Sequence, residues 1–398
     1  MSGGKITEII GFMNCFTSGL SGGDRILIEL TRRWLDKGLR IHLVTSKEGY
    51  EVCQKYGLRS ASYLIVTCPS LLRLNVYLLY LLRALKALVT VLNFRPEHND
   101  VVVYSSSDFW PDSIPAWLLK MRFKNIKWVA AFYLFAPSPL REDTPYRGWH
   151  FLRGLFYFLS QLPIYGLIKK YADMVWVTSE FDRWRFIDGG RLTADKVIAV
   201  RGGVDIRTPM SVPEPEEKMF DAVYIGRFHP QKGVLELIDV WRYVCEKKPE
   251  AKLAVIGVGE LENEVKEKIR KYGLENNVIL FGFKDGVEKL KIFKESKVVV
   301  HSAIYDSGGM AACEAMACGL PGVSFDLPAL RTYYPKGMLK TPCYDLKKFA
   351  ENILKLLNND ELYRKMGKDA LDWAMEWDWD KRSEELLDAA KKLLGNKN

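Results

Sequence analysis

Short runs of apolar residues alternate with amphipathic stretches throughout the first half of the chain. The apolar runs are Ile6–Phe12, Ile41–Thr45, Val101–Ser105, Trp128–Phe132 and Met174–Thr178. Their continuous apolar character predicts strands that are buried on both faces, as in a parallel sheet. The stretches between them predict helices, among them Asp24–Lys37, Asp112–Lys120 and Phe181–Asp188. This order of elements predicts a doubly wound α/β domain.

A second series with the same alternation of apolar and amphipathic segments begins after residue 218. It predicts strands over Phe220–Ile225, Ala251–Ile256, Val278–Phe281, Val298–His301 and Gly322–Phe325. It also predicts helices over Val234–Cys245, Glu262–Tyr272, Gly286–Lys294 and Met310–Cys318. Between the two series, the Pro- and Glu-rich stretch TPMSVPEPEEK at 208–218 predicts a linker.

The two series predict two Rossmann-like domains, 1–207 and 219–374, on either side of the linker 208–218. Ligands of such folds bind beyond the carboxyl ends of the strands, so we expect a ligand-binding cleft between the carboxyl edges of the two sheets. The tail, 375–398, is predicted as a helix that packs back on the N-terminal domain. The nearby Trp373, Trp377 and Trp379 are typical of core or interdomain packing.

The positive charge of the chain is concentrated in its first half. The net charge is +9 over 398 residues, and residues 1–205 hold 27 Lys and Arg against 18 Asp and Glu, whereas the remainder holds 31 of each. This bias favours an anionic partner: a membrane surface, a phosphorylated lipid and a nucleic acid each fit. The alternative is a charged surface that only keeps the protein soluble.

Cysteine and histidine usage predicts neither disulfides nor a metal site. The seven Cys residues are far apart and form no CxxC pair, which is typical of a reduced, cytoplasmic chain. The five His residues have no metal-binding spacing. The start MSGGKITEIIGF lacks the regions of a signal peptide, and we expect no segment that spans a membrane.

Two cations follow the first strand of the second domain. Gly226-Arg227 comes directly after Phe220–Ile225, and Lys232-Gly233 opens the next helix. The glycines permit a tight turn, which brings the guanidinium and the ammonium to the carboxyl edge of the sheet near a helix N-terminus. These groups suit a diphosphate leaving group, on which negative charge grows. Two surface cations beside a turn are the alternative.

A second cluster is DSGGMAACEAMACGLP at 306–321. Asp306 lies in the loop after a strand, and Glu314 lies in the helix that follows. The residues Ser307, Gly308, Gly309 and Met310 open that helix, and their N–H groups suit phosphate or sugar oxygens. Glu314 is placed to accept hydrogen bonds from a ribose diol, and Asp306 to bind hydroxyls of a sugar. The alternative is a helix-capping carboxylate plus an exposed Glu.

Together the two clusters resemble the retaining GT-B glycosyltransferases of family four, the glycosyl transferases group 1. The chain carries G-R-x4-K-G at 226–233 and then an acid-x7-Glu element that ends in EAMACGLP. Further pieces resemble the family in the expected order: SGGDR at 21–25, YAD at 171–173 with VTSE at 177–180, and GVD at 203–205. The resemblance covers nearly the whole chain.

The resemblance implies roles for individual residues. It implies that Arg227 and Lys232, next to Gly226, hold the donor diphosphate without a metal or another cofactor. It implies that Glu314 binds the nucleotide ribose and that Asp306, with Ser307–Met310, contacts the donor sugar. It also implies that Gly22 and Gly23 form a loop near the donor phosphate and the acceptor, so that domain 1–207 binds the acceptor and domain 219–374 the nucleotide-sugar.

The chain departs from the family pattern at three places. The acid at 306 is Asp where Glu is usual, and Gly308 stands where Phe is usual. The region that carries a His near the reacting sugar in many members reads AAFYLF at 130–135. Tyr133 is a candidate hydrogen-bonding substitute there, and a packed aromatic is the alternative. These departures put the donor preference and the activity in question.

Two apolar segments of the first domain are flanked by cations. They are Ser70–Phe94 and Gly148–Lys170, and both are too short or too charged to span a bilayer. Their Trp, Tyr and Phe residues, together with Lys and Arg, are typical of helices that lie in a membrane interface. The alternative is a pair of core helices that cover the sheet.

The resemblance therefore implies a retaining, metal-independent glycosyltransferase. We expect a UDP- or GDP-sugar donor, with Phe283 near the base, and no nucleic acid partner. We expect the acceptor to be a lipid-linked glycan or a polyprenyl phosphate at the cytoplasmic membrane face, where the protein is peripheral. The alternatives are a sugar-nucleotide epimerase or hydrolase on the same fold, and a non-catalytic nucleotide-binding protein.

Overall fold

The computed structural model describes residues 6–15, 20–68, 75–141, 144–146, 148–189 and 191–395. The chain divides into two compact units. Unit 1 comprises residues 1–139, 149–202 and 379–398, and unit 2 comprises residues 140–148 and 203–378. The predicted fold class, two α/β domains with parallel sheets, is confirmed.

Unit 1 is built on a parallel sheet of seven described strands in the order β3-β2-β1-β4-β5-β6-β7. Its strands are β1 (Glu8–Met13), β2 (Arg40–Ser46), β3 (Ser62–Val66), β4 (Val101–Ser105), β5 (Lys127–Phe132), β6 (Met174–Val177) and β7 (Val197–Ala199). Its first six helices are α1 (Gly22–Asp36), α2 (Lys47–Lys55), α3 (Val76–Leu92), α4 (Trp110–Arg122), α5 (Phe151–Tyr171) and α6 (Glu180–Ile187). Val, Ile and aromatic side chains of the central strands form its core.

Unit 2 holds a parallel sheet of six strands in the order β10-β9-β8-β11-β12-β13. The strands are β8 (Phe220–Ile225), β9 (Leu253–Ile256), β10 (Val278–Gly282), β11 (Ser296–His301), β12 (Gly322–Phe325) and β13 (Met338–Thr341). The helices are α7 (Thr208–Ser211), α8 (Val234–Lys247), α9 (Glu262–Lys271), α10 (Gly286–Lys294), α11 (Met310–Met316), α12 (Pro328–Tyr333), α13 (Leu346–Leu357) and α14 (Asp360–Ala374). Two apolar clusters cover the two faces of this sheet.

Three strands lie outside the series that the apolar pattern predicts: β3, β7 and β13. All three are edge strands of their sheets. An edge strand is partly exposed, so its side chains are not uniformly apolar; in β3 only Val66 is buried. The apolar pattern therefore misses three of the four edge strands, whereas the fourth, β10, was predicted as Val278–Phe281.

The segment 208–218, predicted as a linker, is packed within unit 2. Lys294 Nζ donates to the carbonyl of Val212 at 2.5 Å and to Glu214 Oε1 at 2.7 Å. The segment that was predicted as a linker is therefore anchored by Lys294, and it contains the short α7.

The last helix, α15 (Trp379–Gly395), belongs to unit 1. It packs on α1: Trp34 Nε1 donates to the carbonyl of Ser383 at 3.1 Å, and Arg33 Nε lies 2.5 Å from Asp380 Oδ1. Trp379 at its start is fully buried. This packing explains why the end of the chain is rich in Trp.

Candidate functional site

The loop after β8 is shaped by glycine. Gly233 has a φ of 61°, and a Cβ at this position would lie 1.9 Å from the carbonyl oxygen of Ser302, which follows β11. Only glycine fits such an approach. The close contact holds the β8–α8 loop against the loop after β11, and these two loops carry Lys232 and Asp306.

Lys232 and Asp306 form a direct ion pair. Lys232 Nζ lies 2.5 Å from Asp306 Oδ2, and both side chains are largely buried. Burial alone would raise the pKa of the Asp306 carboxyl, but the neighbouring Lys232 ammonium holds it below its usual value. Asp306 is therefore ionised at neutral pH, and the structure brings these two predicted site residues together.

The short side chain of Asp306 folds back onto its own loop. Its Oδ1 accepts hydrogen bonds from the N–H groups of Ser307 at 3.0 Å and Gly308 at 3.4 Å. The sequence predicts that these two N–H groups are open to a ligand. They instead donate to Asp306, because the Asp side chain has a single methylene and its carboxylate reaches the backbone N–H groups of the next two residues.

Gly309 is buried beneath two side chains. A Cβ at this position would lie 2.8 Å from Cε1 of His301 and 3.0 Å from the hydroxyl of Tyr334. The Tyr334 hydroxyl also donates to the Gly309 carbonyl. Met310, the first residue of α11, is half-buried. The loop before α11 is thus held closely against the sheet.

His301 is the last residue of β11 and faces Asp306. Its Nε2 lies 3.5 Å from Asp306 Oδ2, which is too long for a full hydrogen bond. Burial lowers the pKa of the His301 ring, against the attraction of Asp306. The ring is therefore neutral at pH 7 and packs against Gly309.

Lys340 is a further cation that the sequence analysis missed. The strand register aligns His301 with Ser324 and Ser324 with Lys340, so the three side chains share one face of the sheet. Lys340 Nζ donates to Ser324 Oγ at 3.2 Å and lies 5.4 Å from the centroid of the Tyr334 ring. Burial lowers the pKa of Lys340 to about 8. Its strand, β13, lies outside the predicted series, which is why no signal pointed to it.

Arg227 follows β8 and is exposed. Within the described part of the chain, its guanidinium makes no hydrogen bond or ion pair. Gly226 before it is half-buried, and a Cβ there would lie 2.7 Å from the Tyr224 hydroxyl. The guanidinium is therefore available to an anionic ligand.

Glu314 is held by a lysine that the sequence analysis did not single out. Lys289 Nζ, on α10, lies 2.8 Å from Glu314 Oε2 and 2.9 Å from Asp285 Oδ1. The Lys289 side chain is only 6% exposed and that of Glu314 is 13% exposed. The ion pair fixes the carboxylate between α10 and α11, so Glu314 is not the exposed helix residue of the alternative interpretation.

Phe283 follows β10, whose last residue, Gly282, has a φ of 67°. The Phe283 side chain is 56% exposed, an uncommon position for a large apolar ring. A contact of this ring with a nucleobase stays a prediction.

The predicted residues of unit 1 lie at one edge of its sheet. Gly22 opens α1 after the N-cap Ser21, and a Cβ on Gly23 would lie 3.0 Å from Cδ2 of Tyr133. The Tyr133 hydroxyl lies 2.7 Å from that of Tyr104. Tyr133 therefore packs against the start of α1 with its hydroxyl engaged, as the packed-aromatic alternative requires. Residues 16–19 of the same loop lie outside the described residues.

Two buried carboxylates follow β4 at this edge and were also missed. Asp112 accepts from the backbone and side-chain nitrogens of Asn14, each at 2.9 Å, and Asp108 accepts from Gln161 Nε2 at 2.9 Å. Burial raises the pKa of each carboxyl to about 6. The polar run SSSD at 105–108, directly after an apolar strand, was the available signal.

Among the described residues, no three or more His, Cys, Asp or Glu side chains form a group that suits a metal ion.

The family model described as glycosyl transferases group 1 matches residues 206–373, which lie in unit 2. An uncharacterized glycosyltransferase of Methanocaldococcus jannaschii is 29% identical over 253 residues, or 61% of this chain and 59% of that protein. The poly(glycerol-phosphate) alpha-glucosyltransferase of Bacillus subtilis is 26% identical over 54% of this chain and 33% of that protein. The chain thus spans less than two thirds of the length of these relatives.

Solved structures resemble the whole chain. A crystal structure of a Staphylococcus aureus TarM mutant, in complex with fondaparinux, alpha-GlcNAc-glycerol and UDP, matches with a TM-score of 0.73 and 14% identity, covering 97% of this chain and 100% of that one. The sucrose-phosphate synthase of Thermosynechococcus elongatus matches with a TM-score of 0.73 and 16% identity, covering 97% and 99%. At these identities the likeness shows the fold.

Proposed function

Because residues 206–373 belong to the glycosyl transferases group 1 family, we propose that this chain transfers a sugar from a nucleotide-diphosphate-sugar to an acceptor. The observation that carries the proposal is the ion pair between Lys232 and Asp306, with the free guanidinium of Arg227 on the same loop. The pair joins a cation suited to the diphosphate to an acid suited to the sugar. We propose UDP or GDP as the nucleotide; a crystal structure of HepE from Anabaena contains UDP and glucose.

Charge complementarity supports cleavage of the bond between the sugar and the diphosphate. As the bond to the sugar breaks, negative charge grows on the leaving diphosphate. A guanidinium and an ammonium beside the diphosphate stabilise that charge more in the transition state than in the ground state. In this proposal Arg227 and Lys232 supply the compensation without a metal ion, and no other cofactor takes part.

We propose that the reaction retains the configuration of the sugar. In a front-side attack, the departing phosphate helps to remove the acceptor proton, so no protein base is needed on the opposite face. This route suits a chain with no His in the region 130–135. The relatives named alpha-glucosyltransferase and alpha-N-acetylglucosaminyltransferase support it by analogy.

We propose that unit 1 binds the acceptor, a lipid-linked glycan or a polyprenyl phosphate at the cytoplasmic face of the membrane. The surplus of Lys and Arg in residues 1–205 favours a phosphorylated acceptor. Two relatives are named for poly(glycerol-phosphate) and poly(ribitol-phosphate), and both names describe chains of phosphate esters.

The test begins with the donor. UDP, GDP and a panel of their sugars are screened for an increase in Tm, and the strongest ligand is then incubated with phosphorylated polyprenols and polyol-phosphate oligomers. We expect one nucleotide series to stabilise the protein and one acceptor to be glycosylated. Release of free sugar without an acceptor would favour the hydrolase alternative, and binding without turnover the non-catalytic one. Absence of nucleotide binding would contradict the proposal.

A further inference from the structure

One face of α3 is an exposed apolar stripe. Its members recur at intervals of three or four residues along the whole helix, and each is about half exposed: Leu78 48%, Leu81 46%, Leu85 57%, Val89 50% and Leu92 48%. The opposite side of the helix, with Ala87 and Val91, is buried against the unit 1 core. Since this spacing places the five side chains on one side of the helix, α3 is apolar both inward and outward.

The helix α5 carries a second apolar face that adjoins the first. Leu152, Leu159 and Leu162 are 70%, 53% and 51% exposed. The rings of Tyr77 on α3 and Phe156 on α5 are in edge contact, with 4.7 Å between their centroids. The eight exposed side chains and this contact define a surface that we call the α3–α5 face. Such a large exposed apolar surface is uncommon and marks a site of interaction.

The α3–α5 face is cationic at its margins. Neither helix contains Asp or Glu, whereas α3 carries Lys86 and α5 carries the exposed Arg153 and Lys170. A second copy of the chain would bring these cations against identical cations, with no acid on either helix to compensate. Anionic lipid headgroups supply the opposite charge, and their acyl chains accept the apolar stripe.

The sequence predicts that this segment is too short or too charged to span a bilayer, but by length and composition α5 is apolar enough to cross a membrane. Its contacts hold it against unit 1 instead. Gln161, which is 6% exposed, donates to Asp108 Oδ2 at 2.9 Å and to the carbonyl of Leu134 at 2.8 Å, and accepts from the N–H of Ala136 at 2.7 Å. A spanning orientation would break these three buried hydrogen bonds, so α5 lies along the surface with its outer side exposed.

Both helices reach the edge of the sheet where an acceptor would bind. In a parallel sheet, the connection after a strand starts at its carboxyl end, and α3 follows β3 in this way. The middle of α5 lies at the same edge, because Gln161 contacts Leu134 and Ala136, which come shortly after β5. The contact between Tyr77 and Phe156 lies near the first turns of the two helices, at that same edge. A surface bound along the α3–α5 face therefore lies next to the candidate acceptor site of unit 1.

We infer that the α3–α5 face docks on an anionic membrane surface, with the two helices in the plane of the interface. The apolar side chains enter the boundary between headgroups and acyl chains, and Lys86, Arg153 and Lys170 meet anionic headgroups. Membrane docking does not depend on the proposed reaction. Only its biological role, which is to present a membrane-bound acceptor to unit 1, rests on the proposed function.

The test is co-sedimentation of the full chain, without nucleotide or acceptor, with vesicles of phosphatidylcholine mixed with phosphatidylglycerol. We expect binding at low salt, weaker binding at high salt, and weaker binding to phosphatidylcholine alone. The double variant Leu85→Glu with Leu159→Glu, one change on each helix, should lower the partition coefficient at least about tenfold. The variant Arg153→Glu with Lys170→Glu should lower binding only to the anionic vesicles.

The matched control is Met219→Glu with Leu371→Glu, two exposed apolar residues of unit 2. It should bind vesicles as the wild type does, and all variants should keep the wild-type circular dichroism and nucleotide-dependent increase in Tm. If the wild type fails to bind anionic vesicles, or if the control loses as much binding as Leu85→Glu with Leu159→Glu, the inference is wrong. A self-associating wild type that ignores vesicles would also overturn it. Each result is independent of sugar transfer.

Discussion

Lys232 Nζ lies 2.5 Å from Asp306 Oδ2, so the cation suited to a diphosphate and the acid suited to a sugar are already paired within unit 2. Asp306 neutralises part of the positive charge that Lys232 would otherwise present to a donor. In the proposed mechanism, the ammonium is shared between the phosphate oxygens and Asp306. This relationship gives opposite predictions for the two partners.

Removal of the cations should slow sugar transfer. Arg227→Ala and Lys232→Ala each delete a charge-assisted bond to the diphosphate, worth about 1.5–3 kcal/mol. We expect kcat/KM to fall at least about tenfold in each. The matched controls are Arg364→Ala and Lys365→Ala, exposed residues of α14. Wild-type rates in both Arg227→Ala and Lys232→Ala would mean that the donor site lies elsewhere.

Asp306→Asn should separate nucleotide binding from sugar transfer. The amide leaves Lys232 free for the phosphates, so the free nucleoside diphosphate should bind more tightly, while transfer slows because a sugar contact is lost. Calorimetric titration with the nucleotide and initial-rate measurements supply the two quantities. Weaker nucleotide binding in Asp306→Asn would show that the carboxylate does not compete for the ammonium.

The central strands of both sheets followed from continuous apolar runs, and Val101–Ser105, Phe220–Ile225 and Gly322–Phe325 match the observed bounds. The edge strands β3, β7 and β13 did not follow; in β3, for example, the half-exposed side chains lose that signal. The motifs placed Lys232 and Asp306 in the same site, since loops after neighbouring parallel strands meet at one edge. Lys289 and Lys340 could not be found this way: both act through contacts between elements that are distant in sequence.

The Lys289–Glu314 pair should contribute to both stability and donor binding. Lys289→Met leaves the Glu314 carboxylate without this cation in a largely buried position, which should lower the free energy of unfolding by about 1–3 kcal/mol. Glu314→Gln should instead raise the KM for the donor, because a neutral amide accepts weaker hydrogen bonds from a ribose. A double-mutant cycle measured by urea unfolding gives the coupling energy. A coupling near zero would contradict the pairing.

A chelator should leave the activity intact if Arg227 and Lys232 compensate the diphosphate. Transfer is measured before and after dialysis against EDTA, with added magnesium as the control. Complete loss with EDTA, reversed by magnesium, would count against the metal-independent mechanism proposed above.

Lys340 should make stability depend on pH in the alkaline range. Burial lowers its pKa from 10.5 to about 8. Between pH 8 and pH 10.5 the unfolded chain therefore binds more protons at this residue than the folded protein does. The contribution of Lys340 to the free energy of unfolding thus rises with pH in this range. Below pH 8 the folded protein holds a desolvated ammonium. Lys340→Met removes that cost and should raise the Tm at pH 7 by roughly 2–4 °C. The advantage over the wild type should shrink as the pH approaches 10.

The control is Lys336→Met, at an exposed residue just before β13, which should change neither the Tm at pH 7 nor its dependence on pH. An advantage of Lys340→Met that stays constant from pH 7 to pH 10 would point to improved packing rather than to the charge.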